Sequence, residues 1–266
     1  MAKFRSLFRV SGDIGDVNFY EKDGQKYMRQ TTSLDKERIE NAPEFKRTRE
    51  NMREFGGAAV TGKSLRIGLA NVLKRYADRL FTSRLTGIFK QMQKAATTGE
   101  RGKRPIEVLP NKAKLVGKSI HKTELLEMVF SAPFTVSPNV ARNEVTLDVP
   151  IFDVDALVTA PQGTTHFKLV LVITVLSDHY FDSAEGGYVP TDPDLNSVNA
   201  VTSSAALEID VPIVAPVQLI ATLPGSPVMT ATCGFVTCVG IEFYQEVTGT
   251  LYSLAQSNGM RIVNIF

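Results

Sequence analysis

Eight consecutive residues, Gly57-Ala58-Ala59-Val60-Thr61-Gly62-Lys63-Ser64, match G-x-x-x-x-G-K-[ST] in full. In a phosphate-binding loop, backbone amides cradle the phosphates, the lysine reaches the terminal ones and the hydroxyl ligates magnesium. That geometry needs a buried apolar strand directly before the loop. Residues 46–55, Lys-Arg-Thr-Arg-Glu-Asn-Met-Arg-Glu-Phe, are charged and helix-like, and they cannot form a central parallel strand. The match therefore predicts a helix–helix junction whose glycines permit a break or close packing.

The other residue types able to do chemistry are scattered. His121, His166 and His179 stand apart; His166 and His179 are expected near one another at opposite ends of strands, with no acidic third ligand in range. No serine occupies G-x-S-x-G. Asp153 and Asp155, or Asp192 and Asp194, have the two-residue spacing of calcium loops, without the glycine and distal glutamate that complete one. Cys233 and Cys238 are five apart on a strand-like segment, so they point to opposite faces; reduced, buried thiols are expected. No catalytic, cofactor-binding or metal-ligating residue is assigned, and the protein is expected not to be an enzyme.

The elements that would position these residues fall in two parts. Val17–Lys22 and Gln25–Gln30 flank Asp23-Gly24, a pair suited to the positive φ angles of a type I′ hairpin turn. Asn41-Ala42-Pro43-Glu44 reads as a capped helix start, with the helix ending at Gly56-Gly57. Further helices are expected over roughly 61–77 and 79–96, from apolar residues at helical spacing. Residues 106–130 fit neither a helix nor a strand pattern alone. Later strands are expected at Glu144–Val149, His166–Leu176, Ala205–Val211, Val217–Leu223, Cys233–Val247, Thr250–Leu254 and Arg261–Ile265, with Asp182–Asn199 a long surface loop. The fold class is α+β: an N-terminal hairpin and helical region, then an antiparallel β-sandwich or jelly-roll-like domain. Three segments follow: a basic arm (1–12), the hairpin and basic helices (13–105), and an acidic β-rich domain (106–266). The start lacks the apolar core of a signal peptide and no stretch is long and apolar enough to span a membrane, so a cytoplasmic location is expected.

Charge is the most informative bulk feature. Residues 1–125 hold 27 Lys and Arg against 14 Asp and Glu, a net of +13, while residues 126–266 hold 3 against 14, a net of −11. Polarity of this kind speaks to partners more than to fold. Gly15–Tyr20, Pro43–Asn51, Glu54–Gly56, Gly99–Arg104, Thr165–Phe167 and Gly240–Val247 resemble, taken together, an uncharacterised family of bacterial proteins of similar length. The resemblance implies a bacterial origin and carries no activity or site residues.

These features point to a non-enzymatic structural protein whose partner is itself, joined head-to-tail into a filament or other polymer. The expected interface residues are Phe4 and Phe8 of the arm, Arg101, Lys103 and Arg104 of the basic loop, and Ile265 and Phe266 at the C-terminus. Ile262–Phe266 is open to two readings, pairing with a neighbour's sheet edge or forming the last strand of the chain's own sandwich. The alternatives are a nucleic-acid-associated or coat-like protein using the basic half and, third, an enzyme using the glycine–lysine loop on a nucleotide.

Overall fold

The longest apolar runs of the chain, around residues 167–176 and 233–243, set its architecture. A computed structural model describes residues 2–3, 10–30, 36–254 and 256–266. The chain divides into two compact units, Met1–Arg49 and Glu50–Phe266. It is a mixed α+β protein in which every strand pairing between the described strands is antiparallel.

The first unit holds β1 (Ala2–Lys3), β2 (Gly12–Ile14), β3 (Val17–Lys22), β4 (Gln25–Gln30) and α1 (Lys36–Asn41). Its four strands form one sheet in the order β1-β4-β3-β2. The hairpin turn has the expected backbone, with φ of 53° at Asp23 and 72° at Gly24. Asn41 does not cap a following helix: its amide donates to the Glu37 carbonyl and closes α1. A 3-10 turn over Pro43–Phe45 comes next, and the Arg49 guanidinium donates to the carbonyls of Ile39 and Ala42, 2.8 Å each.

Helix α2 runs over Lys46–Gly68, followed by α3 (Ala70–Tyr76), α4 (Phe81–Ala95) and the single-turn α5 (Leu126–Val129). Then come β5 (Thr135–Pro138), β6 (Glu144–Val149), the short α6 (Val154–Leu157), β7 (His166–Ser177), β8 (His179–Asp182) and β9 (Gly187–Pro190). The chain finishes with β10 (Asn199–Ser203), β11 (Leu207–Glu208), β12 (Val217–Thr222), β13 (Cys233–Val247), β14 (Thr250–Ser253) and β15 (Gly259–Ile265). β7 pairs with β13 along almost its whole length, with β10 and β11 on its outer side and β14 and β15 beyond β13. A second sheet has the order β12-β6-β5, and β8 and β9 form a two-stranded sheet.

Both faces of the β7–β13 pair are covered. Even-numbered residues, among them Val170, Val172, Val236 and Cys238, pack under Leu65, Val72, Tyr76, Leu85, Phe89 and Met92 of the helices. Odd-numbered residues, among them Phe167, Leu171, Phe235 and Ile241, share a second core with Val145, Leu147, Val149, Leu219 and Ala221 of the three-stranded sheet. This is why β7 and β13 read as near-continuous apolar runs, while β6 and β12, with one face inward, alternate. Cys233 lies in one core and Cys238 in the other, both free and buried.

Several elements differ from expectation for identifiable reasons. α2 does not stop at Gly56-Gly57 but continues for 23 residues. A Cβ on Gly57 would stand 2.6 Å from the Tyr188 ring, and one on Gly68 would overlap Thr174. These glycines let the helix backbone lie directly on its neighbours, and that packing offsets a helix-propensity cost of about 1 kcal/mol each. Asp182–Asn199 is not one loop, because β9 turns back on β8 and delivers Tyr188 to α2. The strand expected over Ala205–Val211 shrinks to two paired residues.

The two neighbouring glycines give opposite predictions. A Cβ on Gly56 meets nothing within 4 Å, so Gly56→Ala should stabilise the protein by about 0.5–1 kcal/mol. Gly57→Ala should destabilise it by about 1–3 kcal/mol despite the same propensity gain. Urea-unfolding midpoints of the two variants measure both signs.

Candidate functional site

The eight residues of the glycine–lysine motif lie inside α2. Their amides are spent on the helix ladder, and no turned loop presents them to a phosphate. Gly57 and Gly62 face inward, Gly62 toward Leu85 and Phe89, and Lys63 is exposed. Ser64 is buried and meets the imidazole of His179, Oγ to Nε2 3.2 Å. The His179 Nδ1 is 2.9 Å from the Ser177 carbonyl, so Nδ1 carries the proton and Nε2 accepts from the serine. Asn196 completes the ring: its amide donates to Ser64 Oγ (2.9 Å) and its carbonyl accepts from the Ser177 amide (3.1 Å).

A Ser–His contact invites a catalytic reading, but this one lacks the parts. The group orienting the imidazole is a backbone carbonyl, which cannot stabilise an imidazolium as a carboxylate does. His179 has no exposed surface, and burial lowers its pKa to about 4, against the opposing effect of the Ser177 carbonyl. The ring ties α2 to the turn after β7. His166 begins β7 and His179 follows its end, so a whole strand of roughly 40 Å separates them and the expected proximity does not arise. His121 caps a turn, accepting from the amides of Thr123 and Glu124. Among the described residues no group of His, Cys, Asp and Glu has the arrangement of a metal site.

The strongest charge cluster is structural. Glu54 of α2 is 1% exposed. It accepts from Arg104 through Nε (2.7 Å) and Nη2 (2.8 Å), from Lys90 (2.5 Å) and from the Gly102 amide (2.9 Å). Burial alone would raise its pKa, but these donors outweigh burial and bring it to about 2. The basic loop is thereby fixed to the helices. Arg101 pairs with Glu50 at 3.3 Å, Lys103 pairs with Glu100 at 3.0 Å and stands over the Phe181 ring, and the Tyr188 hydroxyl donates to the Arg104 carbonyl. The three loop cations expected to face a neighbour are thus engaged within the chain, Arg104 most completely.

The C-terminus is likewise committed inward. β15 pairs with β13 from Val236↔Ile265 to Ile241↔Gly259. Its other edge is covered by residues 117–120, through Gly117 N–H to Ile262 O (2.8 Å) and Ile120 N–H to Met260 O (2.9 Å). Ile265 is buried, and Phe266 exchanges two backbone hydrogen bonds with Phe235. The neighbour-pairing reading of Ile262–Phe266 is corrected: the edge it would offer is already occupied. Phe4 and Phe8 lie outside the described residues.

What remains is surface. A shallow groove of about 260 Å³ between α5 and residues 159–161 is lined by Leu125, Met128, Val129 and Ala160, with Glu124 its one ionisable group. The exposed part of α2 carries Met52, Phe55, Val60 and Ile67, with Phe55 61% exposed. Sequence periodicity alone does not find them, because α2 buries the polar Glu50, Glu54, Thr61 and Ser64 on its inner side, so its polar and apolar residues are not separated by face. The N-terminal sheet is the more unusual feature. Among the described residues of 10–30 and 36–49 none is buried. Comparison with family models, with curated protein sequences and with solved structures gives no match to this chain.

Two predictions follow from the charge clusters. A glutamate whose pKa is depressed on folding contributes stability above its unfolded pKa of about 4.5, lost as pH falls toward 2. Glu54→Gln should therefore cost roughly 3 kcal/mol at pH 7, by stranding Arg104 and Lys90, and the cost should shrink on acidification; urea titrations at several pH values test it. Asp178 is the opposite case. Burial raises its pKa to about 6, with Glu107 and Asp192 adding to the shift against a hydrogen bond from the Val108 amide. Its carboxylate therefore costs stability as pH rises through 6. Asp178→Asn, which keeps an acceptor for Val108, should be more stable than wild type by about 1–2 kcal/mol at pH 7, with the gain vanishing by pH 4.

Proposed function

We propose that the protein is a bacterial, cytoplasmic, non-enzymatic structural subunit that assembles with copies of itself. The observation that carries the reading is the N-terminal unit, a four-stranded sheet in which no described residue from 10 onward is buried. A sheet of this size needs a covered apolar face to be stable, and a neighbouring copy supplies one. The exposed apolar side chains Met52, Phe55, Val60 and Ile67 on α2 support a second contact, and two contacts per copy are what an open polymer requires. The second unit is read as an antiparallel sandwich backed by helices, a stable body that carries these surfaces.

The non-enzymatic part of the proposal is supported by the sealed Ser64–His179 pair and by the helical state of the glycine–lysine motif. Bacterial origin rests on the resemblance of stretches such as Gly15–Tyr20 and Pro43–Asn51. Assembly through the basic loop loses its support, because Arg104 neutralises Glu54. Apolar burial, with charge setting orientation, takes its place.

Sedimentation and light scattering of the full chain over a wide concentration range test the proposal. The expected result is a mass that grows with concentration. A monomer at every concentration overturns it. With no Trp in the chain, the ratio of absorbance at 260 and 280 nm is sensitive to co-purified nucleic acid, and a monomer that carries it would move the nucleic-acid reading to first place.

A further inference from the structure

One side of the helical layer of the second unit carries cations without carboxylates. Residues 79–99 and 108–122 hold eight Lys and Arg and no Asp or Glu. The fold sets the two segments side by side. The 3-10 turn Lys112–Lys114 packs against α4. The Arg84 guanidinium donates to the Ser119 carbonyl at 3.1 Å, and the Lys122 amide donates to the Asp78 carboxylate at 2.6 Å, just before α4 begins. Leu115 and Ile120 share a core with Leu85, Phe89 and Met92. Two of the eight cations are spent within the chain, Arg84 on Asp78 and Lys90 on Glu54. The other six, Arg79, Lys94, Lys112, Lys114, Lys118 and Lys122, have no carboxylate partner among the described residues. Lys112 and Lys114 bond only to neutral oxygens, the Ile265 carbonyl at 3.1 Å and the Asn111 side chain at 2.9 Å.

A second, independent observation lies on α4 itself. Ser83, Gly87, Gln91 and Lys94 succeed one another along its outer face, and all four are exposed. A Cβ on Gly87 would meet nothing within 4 Å, and its φ is not positive. Neither packing nor backbone conformation therefore accounts for a residue that weakens a helix. What the glycine provides is close access to the helix backbone. None of the exposed large apolar side chains lies in α4 or in residues 108–122.

We propose that this face binds the phosphate backbone of a nucleic-acid duplex without regard to sequence. The inference goes beyond the self-assembly reading and does not depend on it. Charge complementarity identifies the partner. A duplex carries one negative charge per about 1.7 Å of axis, and α4 is about 22 Å long, so phosphates are close enough together to engage all six cations. Ser83 and Gln91 add neutral donors of the kind that contact phosphate oxygens. With no exposed aromatic ring the face has nothing on which to stack an unpaired base. With no exposed apolar side chain it lacks the anchor of a membrane-surface helix.

Fluorescence anisotropy of the full chain with labelled duplexes of about 20 bp in two unrelated sequences tests the proposal. Both should bind equally, with a log–log salt slope of about −4 to −5 between roughly 50 and 200 mM, as expected for release of counterions from four to six phosphates. Gly87→Glu puts an anion at the centre of the face and should weaken binding at least about tenfold. Gly87→Gln, of similar size and uncharged, should bind within about twofold of wild type. Both substitutions favour the helix, so a thermal midpoint at or above wild type shows that the fold is kept. Lys118→Ala with Lys122→Ala should make the salt slope shallower by about 2. Absence of binding at the lowest salt overturns the proposal, as does binding that Gly87→Glu leaves unchanged. Tighter binding to phosphatidylserine vesicles than to the duplex would also overturn it, and so would loss of self-association in Gly87→Glu, which would give the face to a second copy. A wild type that binds the duplex yet stays monomeric removes the self-assembly reading and leaves this one standing.

Discussion

The pairing of β7 with β13 over twelve residue pairs, His166↔Tyr244 to Ser177↔Cys233, imposes the constraint that the second unit answers. A two-strand slab that is apolar on both faces must be covered twice, since each large side chain left in water costs about 1.5–3 kcal/mol. Helices α2 to α4 cover one side and the β12-β6-β5 sheet covers the other. Polar groups drawn under these layers are then obliged to find partners. Ser64, His179 and Asn196 find one another, Glu54 takes Arg104 and Lys90, and Glu242 of β13 takes Arg75 of α3 at 3.0 Å and the Tyr244 hydroxyl at 2.7 Å.

The first unit differs in how little its described residues are buried. Its sheet has a face that is apolar at the centre, and none of the described residues of that face is buried. The long strands of the second unit are covered on both faces, whereas no described residue of β2, β3 or β4 is buried. The proposed self-assembly draws on that contrast more than on the overall charge polarity. Part of the charge polarity is spent within the chain, where the Arg75–Glu242 pair joins the basic half to the acidic one.

Much of the strand framework was legible because burial leaves a direct mark on period. β3, β4, β6 and β13 occupy the spans their patterns predict, and the Asp23-Gly24 turn has the positive φ angles that its residues favour. α2 was misread because Gly56 and Gly57 carry a helix-breaking signal, and only the Tyr188 ring, 131 residues further along from Gly57, shows why Gly57 is a packing site. Tyr188 belongs to a stretch rich in Asp, Pro and Gly that resembles a loop until β8 is seen to pair with β9. The basic loop looked free for the converse reason: the carboxylate that holds it, Glu54, stands among cations in sequence and so reads as one half of a solvated face. The apolar pattern of the hairpin was visible, but the exposure of Ile14 and Met28 was not, since exposure is a property of the folded chain.

Hydrogen exchange across the hairpin measures the central claim most directly. Amides of β3 and β4 report whether the sheet is held closed. If a second copy supplies the missing layer, protection of residues 17–30 rises with protein concentration, in step with mass measured on the same samples, while β7 and β13 stay fully protected throughout. Protection of the hairpin that is strong at the lowest concentration and unchanged at the highest would contradict the account.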